Sequence, residues 1–219
     1  MPRLDFTDIT IVLDRSGSMQ SVAEDTIGGF NRFVEDQKTG HGDAVLTLVQ
    51  FDDQYEVVYN AAPIATAAKL TDSTFVPRGS TALLDAIGRT IEVTGARFAA
   101  APEHERPEQV IIMILTDGHE NASAHYTNAK IAQMIAHQRD VYSWEFVFLA
   151  ANQDAIATGG RMGISSDQSL TYAASKIGTN AAFDSISAST KRRRSIKDKA
   201  AFIVASDRAV QDAELQKGH

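Results

Sequence analysis

Residues 9–19 read ITIVLDRSGSM, and the two halves of this stretch ask for different surroundings. Ile9 to Leu13 are almost all apolar and rich in β-branched residues, as in a central strand of a parallel sheet with helices on both faces. Immediately after them stand Asp14, Ser16, Gly17 and Ser18: one carboxylate, two hydroxyls and a glycine, with no catalytic base. A buried strand therefore ends in small oxygen donors. In an open α/β sheet that is where ligands bind, beyond the carboxyl ends of the strands and near the point where strand order reverses.

Working outward, AVLTLVQF (44–51), QVIIMIL (109–115) and WEFVFLA (144–150) repeat the short apolar pattern. Helical spacing falls between them: Ile27, Phe30 and Val34; then Leu84, Ile87, Ile91 and Phe98; then Ile131 and Ile135, widened by Ala132 and Met134. Strand alternating with helix predicts a doubly wound α/β domain, a three-layer Rossmann-like sandwich. One pair departs from this pattern. AVLTLVQF and YEVVY (55–59) are separated only by Asp52, Asp53 and Gln54, too few residues for a parallel crossover. The pair is expected as an antiparallel hairpin with its second strand at an edge, where Glu56 and Asn60 are tolerated. After residue 150 a short helix, a glycine-rich turn and a last strand in QSLTYAA (168–174) are expected. Two helices follow, broken at KRRRS, the second placing Ile196, Ala200, Ile203 and Val210 near one face.

The 219 residues suit one main domain, read as 1–177, with a carboxyl-terminal helical extension over 178–219 packed on it. With 28 acidic and 21 basic side chains the net charge is -7, which repels nucleic acid and anionic lipid at long range. There is no cysteine, so thiolate chemistry and cysteine-held metals are excluded. No apolar run reaches the roughly 20 residues needed to span a bilayer, and MPRLDFTD has no signal-peptide core, so a cytoplasmic location is expected.

Two more segments bring oxygen donors to the same side of the sheet. In ILTDGHEN, Asp117 follows an apolar run as Asp14 does; in PRGSTALLDAI, Thr81 stands at a predicted helix start behind Gly79 and Ser80. Each piece has an ordinary explanation, as a helix cap or a turn. Together the three segments resemble the von Willebrand factor type A family over roughly residues 5–175. That family's metal-ion-dependent adhesion site uses an Asp-x-Ser-x-Ser loop, a Thr from a second loop and an Asp from a third. The resemblance implies metal-binding roles for Asp14, Ser16, Ser18, Thr81 and Asp117, with all five positions retained. It also implies a mostly parallel six-stranded sheet in the order 3-2-1-4-5-6 with strand 3 antiparallel at the edge.

The implied cofactor is Mg2+, with Mn2+ or Ca2+ as alternatives, and the implied activity is metal-dependent binding of a protein partner that presents Asp or Glu. Arg15, Gly79, Ser80, His119 and Glu120 form the expected rim, with Arg15 pointing outward to attract an acidic ligand. Asp85, four residues after Thr81, is expected to orient a loop or a metal-bound water, or to serve as a helix-terminal charge.

Two rival readings stand beside this one. A metal near serines and carboxylates can hydrolyse phosphoesters, with His119 or Glu120 as base. However, DRSGS lacks the second aspartate of an Asp-x-Asp nucleophile loop, and no phosphate-loop motif is present. Lys191, Arg192, Arg193 and Arg194, with Lys197 and Lys199, form the one concentrated basic segment and could touch an RNA backbone. The ordinary reading of that segment is a solvated helix junction or a surface that docks an acidic partner.

Overall fold

The computed structural model describes residues 1–151, 154–196 and 201–217. Among them six strands form one sheet in the order β3-β2-β1-β4-β5-β6. The strands are β1 (Arg3–Asp14), β2 (Asp43–Phe51), β3 (Tyr55–Pro63), β4 (Pro107–Thr116), β5 (Glu145–Ala151) and β6 (Ser169–Tyr172). All neighbours run parallel except β3, which returns antiparallel on β2 at the edge. The three-residue link that rules out a crossover thus produces the hairpin. Strand order reverses between β1 and β4, so Asp14 and Thr116 end side by side at the switch point.

Side chains alternate along each strand and feed two cores. On one face Ile9, Ile11 and Leu13 of β1 pack with Phe30 and Phe33 of α1 (Ala23–Lys38). The other face buries Val12, Ile112 and Ile114 against Leu84, Ile87 and Ile91 of α2 (Leu83–Ala100) and Ile131 and Ile135 of α3 (Asn128–Tyr142). β1 is not apolar throughout on this second face. Asp8 is fully buried and paired with Arg97 of α2 at 2.7 Å, which satisfies its charge in place.

After β5 the chain forms α4 (Ala155–Arg161), β6, α5 (Lys176–Ile196) and α6 (Ala205–Lys217). Ala182, Phe183 and Ile186 of α5, with Phe202 and Ile203, belong to the same core as β1 and α1. The two helices approach so closely that a Cβ at Gly29 of α1 would lie 2.2 Å from the Phe183 ring.

The carboxyl-terminal region differs from the sequence reading. KRRRS is not a break, because α5 runs through it to Ile196, and the next helix starts only at Ala205. Val210 is 44% exposed on that helix; Ala200, Lys197 and Lys199 lie outside the described residues. Nor is the basic segment a solvated charge run. Arg194 is 3% exposed and gives hydrogen bonds to the carbonyls of Gln37 (2.6 Å) and Gly42 (3.0 Å), closing the end of α1. Arg193 is buried, pairs with Glu145 at 3.0 Å and lies over the Phe202 ring. Arg192 donates to the carbonyl of Ala201, and Lys191 pairs with Asp36 of α1. These contacts bind α5 to the domain and leave Arg193 and Arg194 too buried to meet an RNA backbone, while Lys191 and Arg192 are half-buried.

Candidate metal centre

Three loops meet above the switch point. Asp14 is fully buried, and its two oxygens face inward: Oδ1 accepts the Ser16 N–H at 2.6 Å and Oδ2 accepts the Thr116 hydroxyl of neighbouring β4. The turn so made brings Ser16 Oγ to 3.1 Å from Ser18 Oγ, and the Ser18 hydroxyl donates to Asp117 Oδ1 at 2.6 Å. Thr81 arrives from the connection before α2 and is held by its backbone. Its N–H donates to Asn121 Oδ1 at 2.9 Å, and its carbonyl accepts the N–H groups of Asn121 and Ala122 at 3.1 and 3.2 Å.

The three hydroxyls share one point. A Cβ built on Gly118 would fall 2.7 Å from Thr81 Oγ1 and 3.4 Å from both Ser16 Oγ and Ser18 Oγ. Any side chain at position 118 would fill this cradle, and glycine leaves it open. The sequence pattern alone does not single out Thr116, Asn121 or Gly118. All three lie in TDGHEN (116–121), and a turn this short after a buried strand has to hold itself with nearby polar groups.

Burial pushes the Asp14 carboxyl up to about 6 despite the Thr116 and Ser16 hydrogen bonds, and the charge of Asp117 adds to the rise. Burial also raises Asp117, against the hydrogen bond from Ser18. Tyr172, buried at the end of β6, is pushed upward by burial and then by the charges of Asp117 and Asp14. Two carboxylates raised in this way are the environment in which a bound cation gains most. Among the described residues no group of three or more His, Asp or Glu side chains gathers to hold a metal, so the donor set here is hydroxyl-rich.

The expected rim is reordered. Arg15 does not point outward: it is 5% exposed and turns into the sheet edge, with Nε 3.1 Å from Asp52 Oδ2 and Nη1 2.8 Å from Glu56 Oε2. A long cation beside a buried carboxylate gains more from that partner than from water, and β2 brings Asp52 within reach. Glu120 is not a free rim carboxylate either. Its oxygens accept the N–H groups of Leu84 (2.9 Å), Ala122 (3.0 Å) and Ser123 (2.7 Å) and the Ser123 hydroxyl (2.7 Å), which caps α2. Asp85 answers from the helix side, accepting the N–H groups of Ala124, His125 and Tyr126, each at 2.9 Å. It orders the loop and has no bond to the hydroxyl cluster. His119, Gly79 and Ser80 are exposed around the cradle.

A model of the von Willebrand factor type A domain matches residues 8–187. The chain belongs to that family. The match runs past residue 175 and takes in the first half of α5. Among solved structures, this type A domain is similar to proximal thread matrix protein 1 from the mussel byssus, determined with a zinc-occupied MIDAS motif, the metal-ion-dependent adhesion site. The two are 18% identical with a TM-score of 0.57, covering 81% of this chain and 46% of that one. The pilus adhesin SpaC from Lactobacillus rhamnosus GG is 15% identical with a TM-score of 0.62 over 85% of this chain and 31% of its own. For the vWF domain of the type V pili tip protein Mfa5 from Porphyromonas gingivalis the values are 11%, 0.58, 85% and 95%. At these identities the likeness is one of fold. The type A domain here spans less than half the length of the mussel protein. No curated protein matches its sequence.

Proposed function

We propose that this type A domain binds a divalent cation, Mg2+ by preference, and through it captures an acidic side chain of a protein partner. The reading rests on one observation: hydroxyls from two distant segments converge on the open point beside Gly118, with Asp14 and Asp117 next to them. Ser16, Ser18 and Thr81 would hold the ion with the two aspartates, and once bound it supplies a positive docking point for a carboxylate oxygen.

The protein groups prepare that role. Because Ser18 gives its proton to Asp117, it accepts from Ser16 with one lone pair and keeps the other to face a cation. Asp14 spends its oxygens on the Ser16 N–H and on Thr116, so its charge acts while it fixes the loop. Asn121 sets the position of Thr81. A site built mainly from neutral hydroxyls leaves more of the ion's charge for an incoming anion than a cage of carboxylates would. Both oxygens of Glu120 are engaged, Oε2 by the Leu84 N–H at the start of α2 and the Ser123 hydroxyl, Oε1 by the N–H groups of Ala122 and Ser123 in its own loop. That takes Glu120 out of the role of hydrolytic base and supports binding over turnover.

The test begins with Mn2+ titration followed by electron paramagnetic resonance. Saturable binding in the wild type should be lost in Ser16→Ala and Thr81→Ala, and failure of the wild type to take up Mn2+ at millimolar concentration defeats the proposal. A peptide library then follows: binders recovered in Mg2+ should release in EDTA and lose affinity when their Asp or Glu becomes Asn or Gln.

A further inference from the structure

We propose that Asp52, in the turn between β2 and β3, is a positioning residue for the metal centre. It would act by holding together, through Arg15 and Arg78, the two loops that carry the hydroxyls; this rests on the metal-binding reading above.

The Asp52 carboxylate is fully buried and uses both oxygens. Oδ2 accepts Arg15 Nε at 3.1 Å and Arg78 Nε at 2.8 Å, while Oδ1 accepts the Gln54 N–H at 2.6 Å. Its backbone carbonyl accepts the N–H of Ala82 at 2.9 Å. Arg15 lies between Asp14 and Ser16, and Arg78 lies three residues before Thr81. One carboxylate therefore holds a side chain from each of two loops that are far apart in sequence. The loops are also joined by backbone, Arg78 N–H to the Arg15 carbonyl at 2.8 Å and Gly17 N–H to the Gly79 carbonyl at 3.2 Å.

Glu56 on β3 completes the assembly, receiving Arg15 Nη1 and Arg78 Nη2, each at 2.8 Å. Two guanidiniums and two carboxylates balance in charge. They are not equivalent, because Glu56 is 46% exposed and Asp52 is enclosed. An exposed ion pair is weak, whereas a buried, shared carboxylate leaves its partners unpaired in low dielectric when it is lost. Without Asp52, Arg15 would keep only the solvent-facing Glu56 and a 3.5 Å contact with Gln50, and it would move toward water. Its backbone would follow, and that backbone fixes where Ser16 points. Mg2+ ligands sit at about 2.0–2.1 Å in a near-octahedral shell, so a small loop shift costs affinity. The edge hairpin is in this way coupled to the centre of the sheet.

The experiment uses the full chain and two readouts: Mn2+ affinity, and amide exchange of Gly17 measured by NMR in EDTA. Arg78→Ala and Asp52→Asn should each weaken Mn2+ binding by about tenfold or more, the range seen when groups that orient metal ligands are removed, and should speed Gly17 exchange over wild type. Val76→Ala, half-exposed in the same connection, should move neither. Arg78→Lys keeps the charge but cannot reach both carboxylates, so it should recover only part of each effect. If Asp52→Asn does not fold, Arg78→Ala, whose side chain is half-exposed, carries the test. A folded Arg78→Ala that binds Mn2+ within about twofold of wild type overturns the proposal, since orienting residues act at about tenfold or more. Where the wild type takes up no Mn2+, the metal reading fails and Gly17 exchange alone decides: unchanged exchange refutes the clamp, and faster exchange retains it.

Discussion

Replacing Asp14 by asparagine should stabilise the metal-free domain at neutral pH and make it indifferent to Mg2+. Asp14 is enclosed, and its carboxyl is raised from 3.8 to about 6 by burial first, with Asp117 adding to the rise. A folded-state value above the unfolded one means that the native protein holds the proton more tightly. The contribution to stability is then full below pH 3.8 and is lost as pH rises through about 6. A rise of that size is worth about 3 kcal/mol, given up between about pH 4 and 7. Asparagine does not titrate and can still accept the Ser16 N–H. Urea melts in EDTA from about pH 4 to 7.5 should therefore show wild type losing about 3 kcal/mol relative to Asp14→Asn, and taking the difference cancels the other carboxylates. Millimolar Mg2+ at the upper end of that range should restore the wild type and leave the variant unmoved. A difference that stays flat across the same range would refute the reasoning about burial, and a variant that still gains stability from Mg2+ would refute the role of Asp14.

Gly118→Ala puts a methyl 2.7 Å from Thr81 Oγ1, so Mn2+ affinity measured by titration should fall by about tenfold or more, with some loss of metal-free stability as Thr81 gives way. Glu120→Ala strips the cap from α2 and should cost about 1–2 kcal/mol in urea denaturation, within the range for lost helix caps. Arg194→Ala leaves the Gln37 and Gly42 carbonyls at the end of α1 without their donor, and a loss of about 2–3 kcal/mol is expected by the same assay.

What the sequence discloses is what depends on local pattern. ITIVL, QVIIMIL and WEFVFLA name their own strands, and Asp52 to Gln54 are too few for anything but a hairpin, so the antiparallel edge pair can be anticipated, while the full strand order comes from the family resemblance. The hydroxyls of Ser16, Ser18 and Thr81 are legible because each follows or precedes a recognisable element. Long charged side chains are not. Arg15 reads as exposed because its partners, Asp52 and Glu56, come from another part of the chain. Arg193 and Arg194 read as a solvated run for the same reason: their acceptors, Glu145, Gln37 and Gly42, are distant in sequence. Hydrophobic periodicity says which face of a helix is buried, but not whether an arginine on that face finds a carbonyl waiting.

Glu120 reaches from the loop to the start of α2, and Asp85 reaches from α2 back to the loop, so the two segments bolt each other in place. The gap between Thr81 and Asp117 is therefore inherited from the scaffold and need not be shaped by whatever enters it. An aperture set in advance discriminates between ions by how well each one's shell fits it, and Mg2+, with its tight and regular shell, and Ca2+, with its looser and larger one, should differ in affinity here.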